Sequence, residues 1–189
     1  MSDGDPYLYP GTDVLRNKPG IRDAALLERI ERDVVAERAR QGVPAGDFDL
    51  MHLRAIHRQL FQDVYSWAGE IRTVEISKDG HQFQFRRYIE TGMADVHWRL
   101  VAADFLTGLD LPQFAERAGE IIGDINYVHP FREGNGRTQM QYLRLLADWA
   151  GHPIDLTRLD RDAWMAASRA AHRGDYAAMA AEIARIARR

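Results

Sequence analysis

The chain has 189 residues, enough to bury one core, with 46% hydrophobic and 28% charged residues. A net charge of −3 gives no general pull towards nucleic acid or an anionic membrane, so direct nucleic-acid binding is not expected. With no cysteine, no basic and apolar N-terminal segment and no long apolar run, the sequence excludes disulfides, thiolate zinc sites and a membrane span, and a cytoplasmic location is expected.

Residues 1–22 are rich in turn formers (Pro6, Pro10, Gly11, Pro19, Gly20). The interleaved Tyr7, Leu8 and Tyr9 predict an extension that packs on the domain, leaving 23–189 as a single domain. Asp23 is placed to cap a first helix in which Leu27, Ile30 and Val34 recur until Gly42. Asp49 is placed to cap a second, with Leu53, Ile56, Leu60, Phe61 and Val64 on one side. His52 and His57 are five apart, so they do not share a face as helical metal ligands would; packing or capping is expected of both. The run Tyr65-Ser66-Trp67-Ala68-Gly69-Glu70-Ile71-Arg72 closes this helix.

Over 72–85 the apolar period changes from helical to alternating. Val74 and Ile76 alternate with Thr73 and Glu75, Asp79-Gly80 is a hairpin turn signal, and Phe83 and Phe85 alternate with Gln82 and Gln84. Lys78 is expected at the tip and His81 as an exposed turn residue. An isolated hairpin is marginal by itself, so one set among helices suggests a functional appendage. A third helix is expected from about Arg87 to Leu106 along Ile89, Met93, Val96, Leu100 and Ala103. Leu111-Pro112 opens a fourth, carrying Ala115, Ala118, Ile122 and Ile125. A fifth is expected from about Asn135 to Trp149, with Leu143, Leu146 and Trp149 on its apolar stripe. Asp160 and Asp175 are placed to cap two short C-terminal helices, and Arg185, Arg188 and Arg189 suit a solvated helix end. The fold class read from these periods is all-α with one β-hairpin.

The stretch between the fourth and fifth helices is His129-Pro130-Phe131-Arg132-Glu133-Gly134-Asn135-Gly136-Arg137-Thr138. It combines the parts that phosphoryl chemistry needs. His129 can take a proton near neutral pH. Glu133 is a hard oxygen ligand suited to Mg2+. The glycines and the start of a helix let successive N–H groups face one anion. Arg137 offers a planar fork of donors.

This run resembles the signature of the Fic family, His-x-Phe-x-(Asp/Glu)-Gly-Asn-Gly-Arg-x-x-Arg, at every fixed position but the last, which falls on Met140. Trp67-Ala68-Gly69-Glu70 resembles another family segment. Asp5-Pro6-Tyr7, Tyr9-Pro10-Gly11-Thr12 and Leu15-Arg16-Asn17-Lys18 look like the opening of compact bacterial Fic proteins, so the resemblance spans almost the whole chain. It implies a Fic-type helical domain that moves AMP from Mg-ATP onto a hydroxyl side chain of a target protein. It further implies His129 as the base, Glu133 as the metal ligand, and Gly134, Asn135 and Gly136 as an anion hole. The Asn135 side chain would donate to the α-phosphate and Arg137 would pair with the leaving phosphates. Phe131 is read as a buried anchor of the loop. The hairpin is implied to be a flap over the active site that adds a strand to the target, with Val74, Ile76, Lys78 and Phe83 as docking residues. Gly136 stands where the Doc relatives have lysine, and phosphocholine transferases of this fold depart at the position of Gly134, so both glycines fit AMP transfer.

Many Fic proteins carry an inhibitory helix, (Ser/Thr)-x-x-x-Glu-(Gly/Asn). Ser66 and Glu70 have the spacing but are followed by Ile71, so the pattern is absent. That likens the chain to the toxin of a toxin–antitoxin pair, with a small antitoxin supplying the helix and DNA gyrase or topoisomerase IV as candidate targets. Two other readings stay open. Met140 could mark a weak site kept as a binding or regulatory module, or the chain could be an effector passed into a host cell.

Overall fold

The computed structural model describes residues 5–78 and 80–188. Asp79 of the expected turn and the terminal Arg189 lie outside the described residues. The helices are α1 (Ala24–Arg40), α2 (Leu50–Phe61), α3 (Ile89–Ala102), α4 (Leu111–Val128), α5 (Asn135–Trp149), α6 (Arg161–Ala171) and α7 (Ala177–Ile186). The hairpin strands are β1 (Ser77–Lys78) and β2 (His81–Gln82), paired antiparallel. The fold is mostly helical with a small hairpin, as the periods predict.

Aspartates start these helices for a local reason. The side chains of Asp23, Asp49, Asp110 and Asp160 each accept from amides in the first turn, which have no partner inside the helix. At Asp110 the exchange is reciprocal with Gln113, and Pro112 fills a first-turn position that needs no donor. Asp175 acts one residue outside the expected position, accepting from Ala177 N while Tyr176 is the N-cap.

Helix α4 is the centre. It packs against α3, α5, α6 and α7, and Phe114, Ala118, Ile122 and Ile125 on it are inaccessible to solvent. A Cβ on Gly119 would lie 3.0 Å from Ala180 N, so the missing side chain sets how closely α7 approaches. Helix α2 bridges α1, α3 and α5. Residues 5–22 lie on this body. Tyr7 and Val14 are buried, Thr73 N donates to the Tyr7 hydroxyl (3.0 Å), Lys18 N donates to Val64 O (2.8 Å), and Asp5 pairs with Arg132 (2.7 Å).

Three expectations need correction. The strands are two residues long and omit Val74 and Ile76. Beyond one more bond, Phe83 N to Ile76 O (3.2 Å), the ladder stops where the Arg72 guanidinium takes Val74 O, an acceptor that a longer ladder would use, and where Gln84, facing away from the partner strand, gives its O to Arg72 and its N–H to Tyr127 O. Helix α3 ends at Ala102 rather than Leu106. Asp104, Phe105 and Leu106 adopt positive φ (46°, 50° and 64°), and the Phe105 ring packs between Phe48 and Trp149. Trp149 is 63% exposed and not part of the buried stripe; one face meets Phe48 and Phe105.

Candidate active site

The motif links the two central helices. Helix α4 ends at His129, which takes a left-handed conformation (φ 48°, ψ 62°), and α5 starts from Gly134 at φ 84°. Between them Phe131 is fully buried, as expected of an anchor. Asn135 braces it, its Oδ1 accepting from Phe131 N (2.9 Å) and its Nδ2 donating to Phe131 O (2.7 Å). From α2, His57 stacks on Phe131 (3.9 Å between centroids). Gly69 N donates to His57 Nδ1 (2.8 Å), so the neutral ring carries its proton on Nε2 and donates to Glu133 O (3.0 Å).

Burial pushes the His57 pKa down from 6.5 to about 4. Between these values the unfolded chain takes a proton that the folded chain refuses, so stability is present above pH 6.5 and is lost as pH falls. The expected loss towards pH 4 is on the order of 3 kcal/mol from this one group. Urea unfolding midpoints should therefore fall as pH drops across the window, and His57→Gln should reduce the slope without removing it, because burial lowers His129 over the same window. A midpoint that does not move with pH would show that the ring is not held neutral.

A cavity of about 510 Å³ opens beside the motif. His129, Glu133, Gly134, Asn135 and Gly136 form one wall, Ile76, Lys78 and Phe83 of the hairpin another, and Trp164 and Arg169 of α6, with His172 just past its end, a third. His129 Nδ1 lies 3.0 Å from Asn126 O, an acceptor only, which places the proton on Nδ1 and leaves the Nε2 lone pair free. Burial pushes this ring down to about 4, and the Arg72, Lys78 and His172 charges add to the shift, so His129 is neutral at pH 7. The α5 N-terminus has no side-chain cap, so its leading amides meet no acceptor in the helix. A Cβ on Gly136 would meet nothing within 4 Å, so an anion has room to approach.

Several expected site residues are placed differently. Gly134 N donates to Glu133 Oε1 (2.8 Å), so the amides left for an anion start at Asn135. The Asn135 side chain is engaged with the loop through both Oδ1 and Nδ2, which leaves one Nδ2 hydrogen for any other acceptor. Arg137 does not line the cavity. It pairs with Glu31 of α1, reaches Glu133 at 3.3 Å and lies over the Phe61 ring at 4.8 Å. Glu31 also accepts from the Tyr65 hydroxyl, whose pKa burial and the carboxylate push up. Met140 is also absent from the cavity wall, packed partly buried against the core, and Val74 stands outside it. Phe83, expected to dock a target, is buried and stacks on His129 at 3.7 Å. Lys78 is exposed at the mouth.

The sequence reading missed Glu31, Arg72 and the α6 wall. Glu31 left a readable trace, lying one turn from both Leu27 and Val35 on the buried face of α1. Arg72 and the α6 residues left none, because only tertiary packing brings them to the motif.

Residues 47–147 match the model of the Fic/DOC family. The chain belongs to that family. A probable protein adenylyltransferase of Sinorhizobium fredii is 41% identical over 96% of this chain and 95% of its own length. One from Escherichia coli is 37% identical over 93% and 88%. Among solved structures, the fold is similar to a Bartonella tribocorum effector, BepC, with bound AMPPNP (27% identity, TM-score 0.87, 96% of each chain). It is equally similar to a Bartonella quintana Fic domain with bound ADP (28% identity, TM-score 0.87, 96% of this chain and 94% of that one). Within this Fic chain, no helix among the described residues is long and apolar enough to cross a membrane.

Proposed function

We propose that this Fic chain is a protein adenylyltransferase, a nucleotidyltransferase that moves AMP from ATP to a hydroxyl side chain of another protein. The observation that carries this is the pairing of a neutral His129, its Nε2 without a hydrogen-bond partner among the described residues, with the open amide end of α5 on one cavity wall. The relatives' names and the nucleotides in the solved neighbours support the same reading.

The target hydroxyl oxygen attacks the α-phosphorus, the bond from that phosphorus to the bridging oxygen breaks, and diphosphate leaves. His129 Nε2 takes the hydroxyl proton. The amides of Asn135 and Gly136 face the charge that grows on the phosphoryl oxygens. Glu133 is half-exposed beside them, and its Oε1 is already held by Gly134 N and Arg137. No cluster of three His, Cys, Asp or Glu among the described residues suits a metal. That donor set fits a magnesium ion held by Glu133 and carried mainly by phosphate oxygens and water. When bound, such an ion neutralises charge on the α- and β-phosphates. Glu31, which also holds the Tyr65 hydroxyl, pairs with Arg137 and keeps it beside Glu133.

The reading extends to a toxin restrained by a small antitoxin in a bacterial cytoplasm. The likeness to Bartonella effectors favours a second one, delivery into a host cell. An intact base and metal ligand weigh against a binding module alone. Incubation with labelled ATP, magnesium and bacterial lysate tests the activity: a labelled band is expected for wild type, and complex formation without label would overturn it.

Position 140 supplies a prediction. Methionine offers no charge and no N–H donor; because residue 140 packs partly buried against the core and off the cavity wall, an arginine there has to extend past that packing, one turn beyond Arg137, to reach the end of a triphosphate. A hydrogen bond to a charged group contributes about 1.5–3 kcal/mol. Met140→Arg is therefore expected to raise kcat/KM for ATP about ten- to a hundredfold and to tighten restraint by an antitoxin glutamate. Unchanged kinetics would mean that another group already holds the γ-phosphate.

A further inference from the structure

The Arg72 side chain has no solvent contact, and a cation in a dry site is costly unless its donors are met. Its Nε donates to His129 O (2.8 Å). Its Nη1 donates to Val74 O (2.8 Å) and reaches Glu75 Oε2 (3.3 Å). Its Nη2 donates to Gln84 O and lies 3.4 Å from Val128 O. Arg72 N–H itself donates to Pro130 O (2.9 Å). Three separated pieces of chain meet on this one group: the segment entering β1, the segment leaving β2, and the end of α4 that carries His129.

We propose that Arg72 is a positioning residue that locks the base of the hairpin to the left-handed turn at His129, so that flap and base move as one unit. The guanidinium stands in for the ladder that the short strands lack. Among the described residues its paired carboxylate is Glu75, which belongs to the hairpin. Lifting the hairpin base would therefore strip a buried cation of its counter-charge as well as two carbonyl partners. The same group holds His129 O, and His129 sits at φ 48°, a conformation that a non-glycine residue keeps only when its surroundings hold it. Glu75 fastens the other end of the hairpin too, accepting from Arg86 N (2.9 Å). The two strands, each two residues long and exposed, are then the part left to adjust to a target strand. Phe83 completes the coupling by lying flat on the His129 ring.

The coupling rests on the adenylyltransferase reading for its consequence but not for its test. The measurements are amide exchange over 73–86 and 126–131, and NMR titration of the His129 ring, in the full chain without substrate. Arg72→Lys keeps the charge but cannot reach the spread acceptors with one ammonium. It should speed exchange at least tenfold in both segments and leave the His129 midpoint in place. Arg72→Met should speed exchange likewise and raise the midpoint, because a neighbouring positive charge is gone. Glu75→Gln, on a half-exposed side chain, keeps the test open if the Arg72 variants do not fold. It should speed exchange at least threefold in both segments. Loosening of the hairpin with 126–131 unchanged would overturn the proposal, as would no change in either. A wild-type chain that fails to label any protein would overturn the activity and leave these exchange results standing.

Discussion

His129→Ala is expected to abolish AMP transfer, a loss of about 10²–10⁴ in rate, while ATP affinity and the fold stay close to wild type. The argument is geometric. His129 reaches the cavity through Nε2 alone, because Nδ1 is committed to Asn126 O. Removing the ring removes the group placed to accept the hydroxyl proton, and leaves the α5 amides and Glu133 where they are. Phe83 loses its stacking partner, so a modest loosening of the hairpin should accompany the loss. The His129 pKa of about 4 adds a pH signature. The base is already unprotonated at pH 6, so the transfer rate should show no acid limb between pH 6 and 8 from this group. Near-wild-type labelling by His129→Ala would sink the mechanism, and an acid limb near 6.5 would show a ring in water rather than at a buried wall.

How much of this was legible beforehand differs by element. The helix caps were readable because an aspartate before an apolar period is a local device whose partners lie within three residues, as at Asp23, Asp49 and Asp160; the Asp110 cap, just before the proline that marked the fourth helix, went unread. The motif was readable as a string of residue types, and the structure does bring His129, Glu133 and the α5 amides to one cavity. The direction of each side chain was not readable. Asn135 and Arg137 are the residue types a phosphate site would use. At Asn135 the amide is taken by the Phe131 backbone, and at Arg137 the guanidinium is taken by a glutamate over a hundred positions earlier in the chain. The hairpin was readable as a change of period, but its length depended on Arg72, whose acceptors come from three different segments. Local pattern fixes where elements start; long-range polar pairing decides which side chains remain for chemistry.

Gly134→Ala should cost at least a hundredfold in transfer, matching the loss of a preorganised donor in other active sites, where about 10²–10³ is usual. A Cβ at this position would lie 2.3 Å from Phe61 Cζ and 2.5 Å from Phe61 Cε2, far inside contact distance. Phe61 has nowhere to go. It is fully buried, stacked on His57 at 4.7 Å, and covered by Arg137 at 4.8 Å. The backbone must therefore give way, and the part free to move is the start of α5, which carries the Asn135 and Gly136 amides. The φ of 84° at Gly134 adds strain that an L side chain brings with it even where there is room. Overpacking and strain should each lower stability by about 1–3 kcal/mol, so a thermal unfolding scan accompanies the assay and fixes a temperature at which the variant is folded. ATP affinity should fall along with the rate, unlike in His129→Ala, because the cradle itself is displaced. The double variant Gly134→Ala/Phe61→Leu separates the two causes: shortening Phe61 relieves the clash but not the strained φ, so ATP binding should recover in part and transfer less so. Calorimetric ATP binding and labelling of the same preparations read both quantities. Full activity in Gly134→Ala would mean that the α5 amides are not what holds the phosphates.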